Sequence, residues 1–272
     1  MTNRLRKLMV AAVAALALTA MAAPMASQAA TPAPGFGQFA GCPSPAENPA
    51  ISGCLRAIIG SGHFKMGNKN VPITKPIILS GGVNSEFQGF SANSKGGLLP
   101  AEQLVPGGVI GLTGLDWLVN FLDIDSLQLK AVTELAGQPS IGEKFTLPVR
   151  VHLINPVLGK NCYVGSVTNP IKLELTTGTT SPQPPNTPIS GQPFQSFTEH
   201  ANGVTTLDDA IFVDNSFAAP GASGCVLTLF GFIPISINGL VNSQSGLPAP
   251  AGTNTTVQNT DMELAPSNLV YP

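Results

Sequence analysis

The sequence predicts an all-β protein: a β-sandwich or barrel-like arrangement of antiparallel sheets, with a short helical insert near 98–125. Three observations carry this expectation. Short segments with alternating apolar and polar residues recur along most of the chain, and that period of two is the mark of a half-buried strand. Turn formers punctuate them, with 29 Gly and 25 Pro among 272 residues. Charged residues make up only 10%, well under the usual quarter, while 43% hydrophobic content is too high for a disordered chain.

The N-terminus reads as an address. Arg4, Arg6 and Lys7 precede the apolar run "LMVAAVAALALTAMAA", and Ser27-Gln28-Ala29 satisfies the small-x-small pattern of a signal peptidase site. Residues 1–29 are therefore expected to be a signal peptide, leaving no membrane span once cleaved. Its removal takes three of the thirteen Lys and Arg and none of the fifteen Asp and Glu, so the remaining chain carries a net charge of −5. Nucleic acid is excluded as a partner on that balance, because its binding needs clustered cations.

The next elements follow in order. Residues 30–60 begin as the Pro/Gly-rich "ATPAPGFGQFAGCPSPA" and are expected to form an extended arm with a local disulfide. Residues 61–272 are expected to form a single β-rich domain. "ISGCLRAIIG" reads as a strand or a short helical turn, and "SGHFKMGNKNVPITK" as a hairpin with "GNKN" as its turn and Lys69 at the tip. "KPIILSGGV" is a further strand, ended by Gly81-Gly82. Leu115, Leu118, Val119 and Leu122 then recur at helical spacing beside the single tryptophan, Trp117.

Strands resume with "LQLKAVTEL" and "FTLPVRVHLI". In the second, Leu147, Val149, Val151 and Leu153 share one face while Arg150 and His152 share the other. "CYVGS" and "IKLELTT" come next, with Ile171, Leu173 and Leu175 inward and Lys172 and Glu174 outward. A Pro-rich connection, "GTTSPQPPNTPISGQPF", precedes the short strands "QSFTEHA", "GVTTL", "AIFVDNSF", "CVLTLF" and "TTVQNTDMEL".

"LPVRVHLINPVLGKNCYVGS", "NPIKLELTTGTTSPQPPNTPISG" and "VDNSFAAPGASGC" closely resemble a group of secreted actinobacterial proteins with no assigned activity. The resemblance spans roughly Ser126 to Cys225. It implies an exported, β-rich, disulfide-bonded protein and supplies no reaction, ligand or site residue.

Four cysteines, Cys42, Cys54, Cys162 and Cys225, remain after the signal peptide. In an oxidising compartment they read as two disulfides, and among three pairings Cys42–Cys54 with Cys162–Cys225 is the expected one. "QFAGC" also resembles a lipoprotein box, with Cys42 as the lipidated residue. The chain holds no CxxC, HExxH, G-x-S-x-G, Walker or G-x-G-x-x-G motif, so no metal, cofactor or catalytic residue is assigned. His63, His152 and His200 are the three histidines a scattered hydrolase triad would draw on; Asp123 with Asp125 and Asp208 with Asp209 are the close carboxylate pairs a calcium ion would need.

One polar face is a candidate surface. If "VRVHL" pairs with "IKLEL", Arg150, His152, Lys172 and Glu174 share the outward side of a sheet. Three functions follow as expectations. The first is a non-catalytic secreted or cell-envelope structural and interaction protein, with an unknown envelope or extracellular partner. The second is a carrier of an apolar small molecule or lipid, in a cavity covered by the 98–125 segment. The third is a secreted hydrolase.

Overall fold

A computed structural model describes residues 30–86, 88–115, 127–229 and 233–272, with the side chain of Leu229 set aside. The expected signal peptide, Trp117, the pair Asp123 and Asp125, and most of the expected helical stripe lie outside the described residues. Of the 98–125 insert, the helix Gly108–Thr113 is described.

One sheet is built from β1 (Gly53–Met66), β2 (Lys69–Ile73), β3 (Ile77–Val83), β4 (Phe90–Ser91) and β5 (Gly97–Leu99), joined later in the chain by three more strands. The second sheet begins with β6 (Gln103–Leu104), β7 (Lys130–Leu135), β8 (Ser140–Ile141) and β9 (Phe145–Ile154). It is completed by β10 (Tyr163–Val164) and β11 (Ile171–Leu175). β12 (Ser196–Glu199) and β13 (Thr205–Asp214) return to the first sheet, β14 (Ala222–Ser223) adds to the second, and β15 (Val226–Leu229) with β16 (Ile233–Ser236) forms a separate hairpin. The last strand, β17 (Thr255–Pro266), lies between β13 and β1. All these pairings are antiparallel, and the protein is all-β.

The two sheets are joined at both sides. Thr176, just past β11, bridges Val213 of β13, and Gly89, just before β4, bridges Ser140 of β8. The Gln138 side-chain amide donates to the Phe90 carbonyl at this second seam. Followed around, β13, β17, β1, β3, β4, β8, β9 and β11 make a closed ring. Closure needs sharp local curvature, which β-bulges supply. Both neighbours of β17 carry one: the register slips between Ile59 and Ser61 in β1 and between Leu207 and Ala210 in β13. Each slip falls where β17 places Thr260 or its neighbour.

The bulges correct three expectations. The segments read as "ISGCLRAIIG" and "HFKM" are one strand, because the bulge lets β1 stay paired to β17 while its inward set shifts from Leu55, Ala57 and Ile59 to Phe64 and Met66. "GVTTL" and "AIFVDNSF" merge into β13 for the same reason. The expected boundary at residue 60 consequently falls inside a strand. Residues 30–52 form the arm, and it is held by more than Cys42: Phe36, Phe39 and Ile51 pack with Val270 and Tyr271, and the Tyr271 hydroxyl donates to the Cys42 carbonyl at 2.8 Å. The hairpin turn is Gly67-Asn68 alone, with Lys69 paired to Met66 and its ammonium donating to the Gly111 carbonyl. β3 runs through Gly81-Gly82, where the Phe90 ring and Ile51 occupy the space a Cβ would need.

Residues 31–272 form one compact unit. The largest apolar cluster packs the second sheet, with Leu147, Val149, Ile171 and Leu173 at its centre, against the helices Gly108–Thr113 and Asn238–Ser245. The alternations read for β9 and β11 hold throughout. Cys42 is bonded to Cys54 and Cys162 to Cys225, which leaves Cys42 no free sulfur for a lipid. No described helix is long and apolar enough to cross a membrane.

Candidate functional site: an apolar cavity inside the ring

Inward positions around one end of the ring do not meet. They leave a cavity of about 310 Å³, lined almost wholly by apolar atoms. β1 supplies Leu55, Ala57 and Ile59, with Leu79 of β3 and Phe90 of β4 beside them. Ile141 of β8, Phe145 and Leu147 of β9 and Leu175 of β11 form the opposite wall, and Phe212 and Met262 close the side between. Every one of these strands belongs to the ring. Eight-stranded barrels are wide enough for their own side chains or one small ligand; here the small Ala57, opposite Leu79 and Met262, helps to leave the room.

The mouth is framed by Gly142 and Glu143 from the β8–β9 turn and by Thr176, Thr177, Pro193 and Phe194. Phe194 comes from the end of the Pro-rich connection and meets Phe212 edge-on, ring centroids 6.1 Å apart. Among the described residues, none of the lining comes from 98–125, residues 116–126 lying outside them, and the Pro193–Phe194 stretch stands at the mouth. That connection reads as mere exposed linker in sequence, and the two residues were legible only as an apolar pair at its end.

Polarity enters the cavity from β17. Thr256, Gln258, Thr260 and Met262 follow one another on its inward face, the first three buried. Gln258 and Thr260 line the cavity. Counting backwards in steps of two from Met262 would have placed both residues inward, but the apolar Val257 suggests the opposite phase.

The four residues expected to share a polar face do lie on one side of the second sheet, as two separate groups. Arg150 donates from Nε (3.0 Å) and Nη2 (2.7 Å) to Glu134 Oε2, and lies over the Tyr163 ring. His152 stacks on the same ring and sits 3.5 Å from the other Glu134 oxygen. Lys172 and Lys144 flank Glu174 at 3.4 and 3.2 Å, and those hydrogen bonds, Lys144 first, hold the Glu174 carboxyl below its usual range. β11 sets Lys172 opposite Pro148 rather than Arg150, which divides the groups. Each charge is matched locally, so the face is a mixed-charge sheet surface with modest cross-strand pairing.

Among the described residues, Asp214 is the buried carboxylate, 1% exposed. It accepts from the Glu174 amide at 2.7 Å and the Ser216 amide at 2.8 Å, tying β11 to β13 beside the seam. Burial pushes its carboxyl up from the ordinary value, against those two bonds. Asp214→Ala is expected to cost about 3 kcal/mol, because two buried amides lose their acceptor. A raised folded pKa means the native state binds the proton more tightly than the unfolded chain. The Asp214 contribution is therefore greatest below the unfolded value near 3.8 and declines as pH rises towards the folded value. Urea unfolding of both proteins across that window should show their stability difference shrink with rising pH.

Among the described residues, no group of three or more His, Cys, Asp or Glu is placed to hold a metal ion. Asp208 accepts from Ser196 Oγ at 2.9 Å, and the Asp209 amide donates to Asp261. His200 meets Thr206 Oγ1 at 3.3 Å, and His152 meets the Lys160 carbonyl.

Comparison with protein-family models, with curated proteins and with solved structures finds no match to this chain.

Proposed function

We propose that the protein is a non-catalytic carrier that holds one small apolar molecule inside the barrel. The observation that carries this reading is the apolar cavity enclosed by the ring strands, since well-formed apolar pockets of at least about 300 Å³ are the usual seat of small ligands. At the roughly 30 Å³ a water takes in the liquid, the cavity holds about ten non-hydrogen atoms. Two disulfides fit an oxidising compartment. With the expected signal peptide, they support a carrier that works outside the cytoplasm, secreted or held at the cell wall.

The purely structural reading and the carrier reading differ in one measurable way. Native mass spectrometry of freshly purified protein should show an adduct of that size, lost on mild activation. Naphthalene, with ten carbon atoms, serves as a defined probe. Ala57→Phe puts a ring into the cavity, and is expected to weaken naphthalene binding at least about a hundredfold while costing stability under about 2 kcal/mol. Unchanged binding in that variant, by calorimetric titration, would show that the probe sits elsewhere.

A further inference from the structure

We infer that the cavity selects a neutral molecule with a single hydrogen-bond donor, a hydroxyl on an apolar body, over the bare hydrocarbon and over a carboxylate; this rests on the carrier reading above. The donor and acceptor pattern on β17 leads there. Thr256 Oγ1 donates to the His63 carbonyl at 3.1 Å, so towards Gln258, at 3.3 Å, that hydroxyl can only accept. The Gln258 amide is therefore turned with Nε2 on Thr256, and its carbonyl oxygen is the end left over. Gln258 is 1% exposed and lines the cavity, and among the described residues Oε1 receives no hydrogen bond. Next to it, Thr260 Oγ1 spends its proton on the Gln258 backbone carbonyl at 3.3 Å, which leaves acceptor lone pairs. Both polar groups on this wall keep acceptor lone pairs uncommitted, and the Gln258 amide has one N–H besides the one it gives to Thr256.

An apolar occupant strips water from the Gln258 oxygen and returns nothing, which is the costly half of a hydrogen bond. A hydroxyl repairs it. A carboxylate meets the reverse problem. The described lining has no Lys, Arg or His, its single charged member is the acidic Glu143, and Lys144 beside it is engaged with Glu174. An anion would be desolvated with no cation to meet it. Fatty-acid-like ligands are thereby disfavoured, and small alcohols and phenols are favoured.

Calorimetric titration of the full chain with four matched probes tests this: naphthalene, 1-naphthol, 1-methoxynaphthalene and 1-naphthoate. The expected result is 1-naphthol about fivefold tighter than naphthalene and about tenfold tighter than the methoxy ether, which has the oxygen without the proton, with 1-naphthoate weakest. Gln258→Met keeps the length of the side chain, and should bring the affinities for 1-naphthol and naphthalene together. Equal binding of 1-naphthol and its methyl ether by the unaltered protein overturns the donor inference, whatever the variant does, and leaves the carrier reading standing. If none of the four binds, the carrier reading itself fails and takes this inference with it.

Discussion

Gly62→Ala is expected to lower the unfolding free energy by about 4 kcal/mol, from a left-handed backbone forced on an L-residue and from overpacking together. Gly62 sits two residues beyond the bulge in β1 at φ 126°, paired with Gln258 on one side and Ile73 on the other. A Cβ there would lie 2.0 Å from the Val257 carbonyl oxygen. That contact is with the backbone of β17, which is itself held between β1 and β13, so neither strand can give way alone. Gly60, in the bulge itself, is the matched control. It has negative φ and open space where a Cβ would go, and Gly60→Ala should change stability by no more than about 1 kcal/mol. Urea unfolding of the two variants decides it; a difference between them below about 1 kcal/mol would mean that the β1–β17 pairing is looser than its register implies.

Replacing Cys162 and Cys225 together by alanine should cost about 4 kcal/mol, against about 3 kcal/mol for the Cys42–Cys54 pair, in the chain-entropy model. The difference comes from loop length: 63 residues separate the first pair and 12 the second. The long bridge ties the start of β10 to the start of β15, and both sulfurs are wholly buried in the main apolar cluster. Neither cysteine lines the cavity, so the double variant should bind naphthalene with unchanged affinity at temperatures where it stays folded. Denaturant unfolding of both double variants checks the order of the two costs. Affinity falling in step with stability would show instead that the cavity depends on the far end of the second sheet.

Strand identity was legible wherever one face is apolar and no bulge intervenes. β9 and β11 show this: Leu147, Val149, Val151 and Leu153 alternate without interruption, as do Ile171, Leu173 and Leu175. β1 and β13 were read as two strands each, because a bulge resets the phase of alternation and a reader of periodicity sees a break. The slip in β1 leaves a trace, since Leu55, Ala57 and Ile59 are out of step with Phe64 and Met66. The cavity was the least legible feature. A filled barrel and a hollow one share the same alternation; what separates them is side-chain volume summed over residues from eight strands, and only their joining brings Ala57, Thr260 and Gln258 to one place. The outward face was legible as a set of residues and misleading as a site, because Glu134, which occupies both Arg150 and His152, comes from β7, sixteen residues earlier than Arg150.

The position of β17 has a consequence for the order of events when the chain folds. β17 is central in the first sheet, with β1 on one side and β13 on the other, and residues just after it lock the arm through Ala33 to Val270 and Tyr271 to Cys42. Until residue 266 is available, β1 lacks one neighbour over nearly its whole length and the ring has a gap one strand wide. Such long-range pairings are slow to form and leave strand edges open meanwhile. The ring therefore stays open at this position until β17 is in place, and its interior is most exposed in that interval.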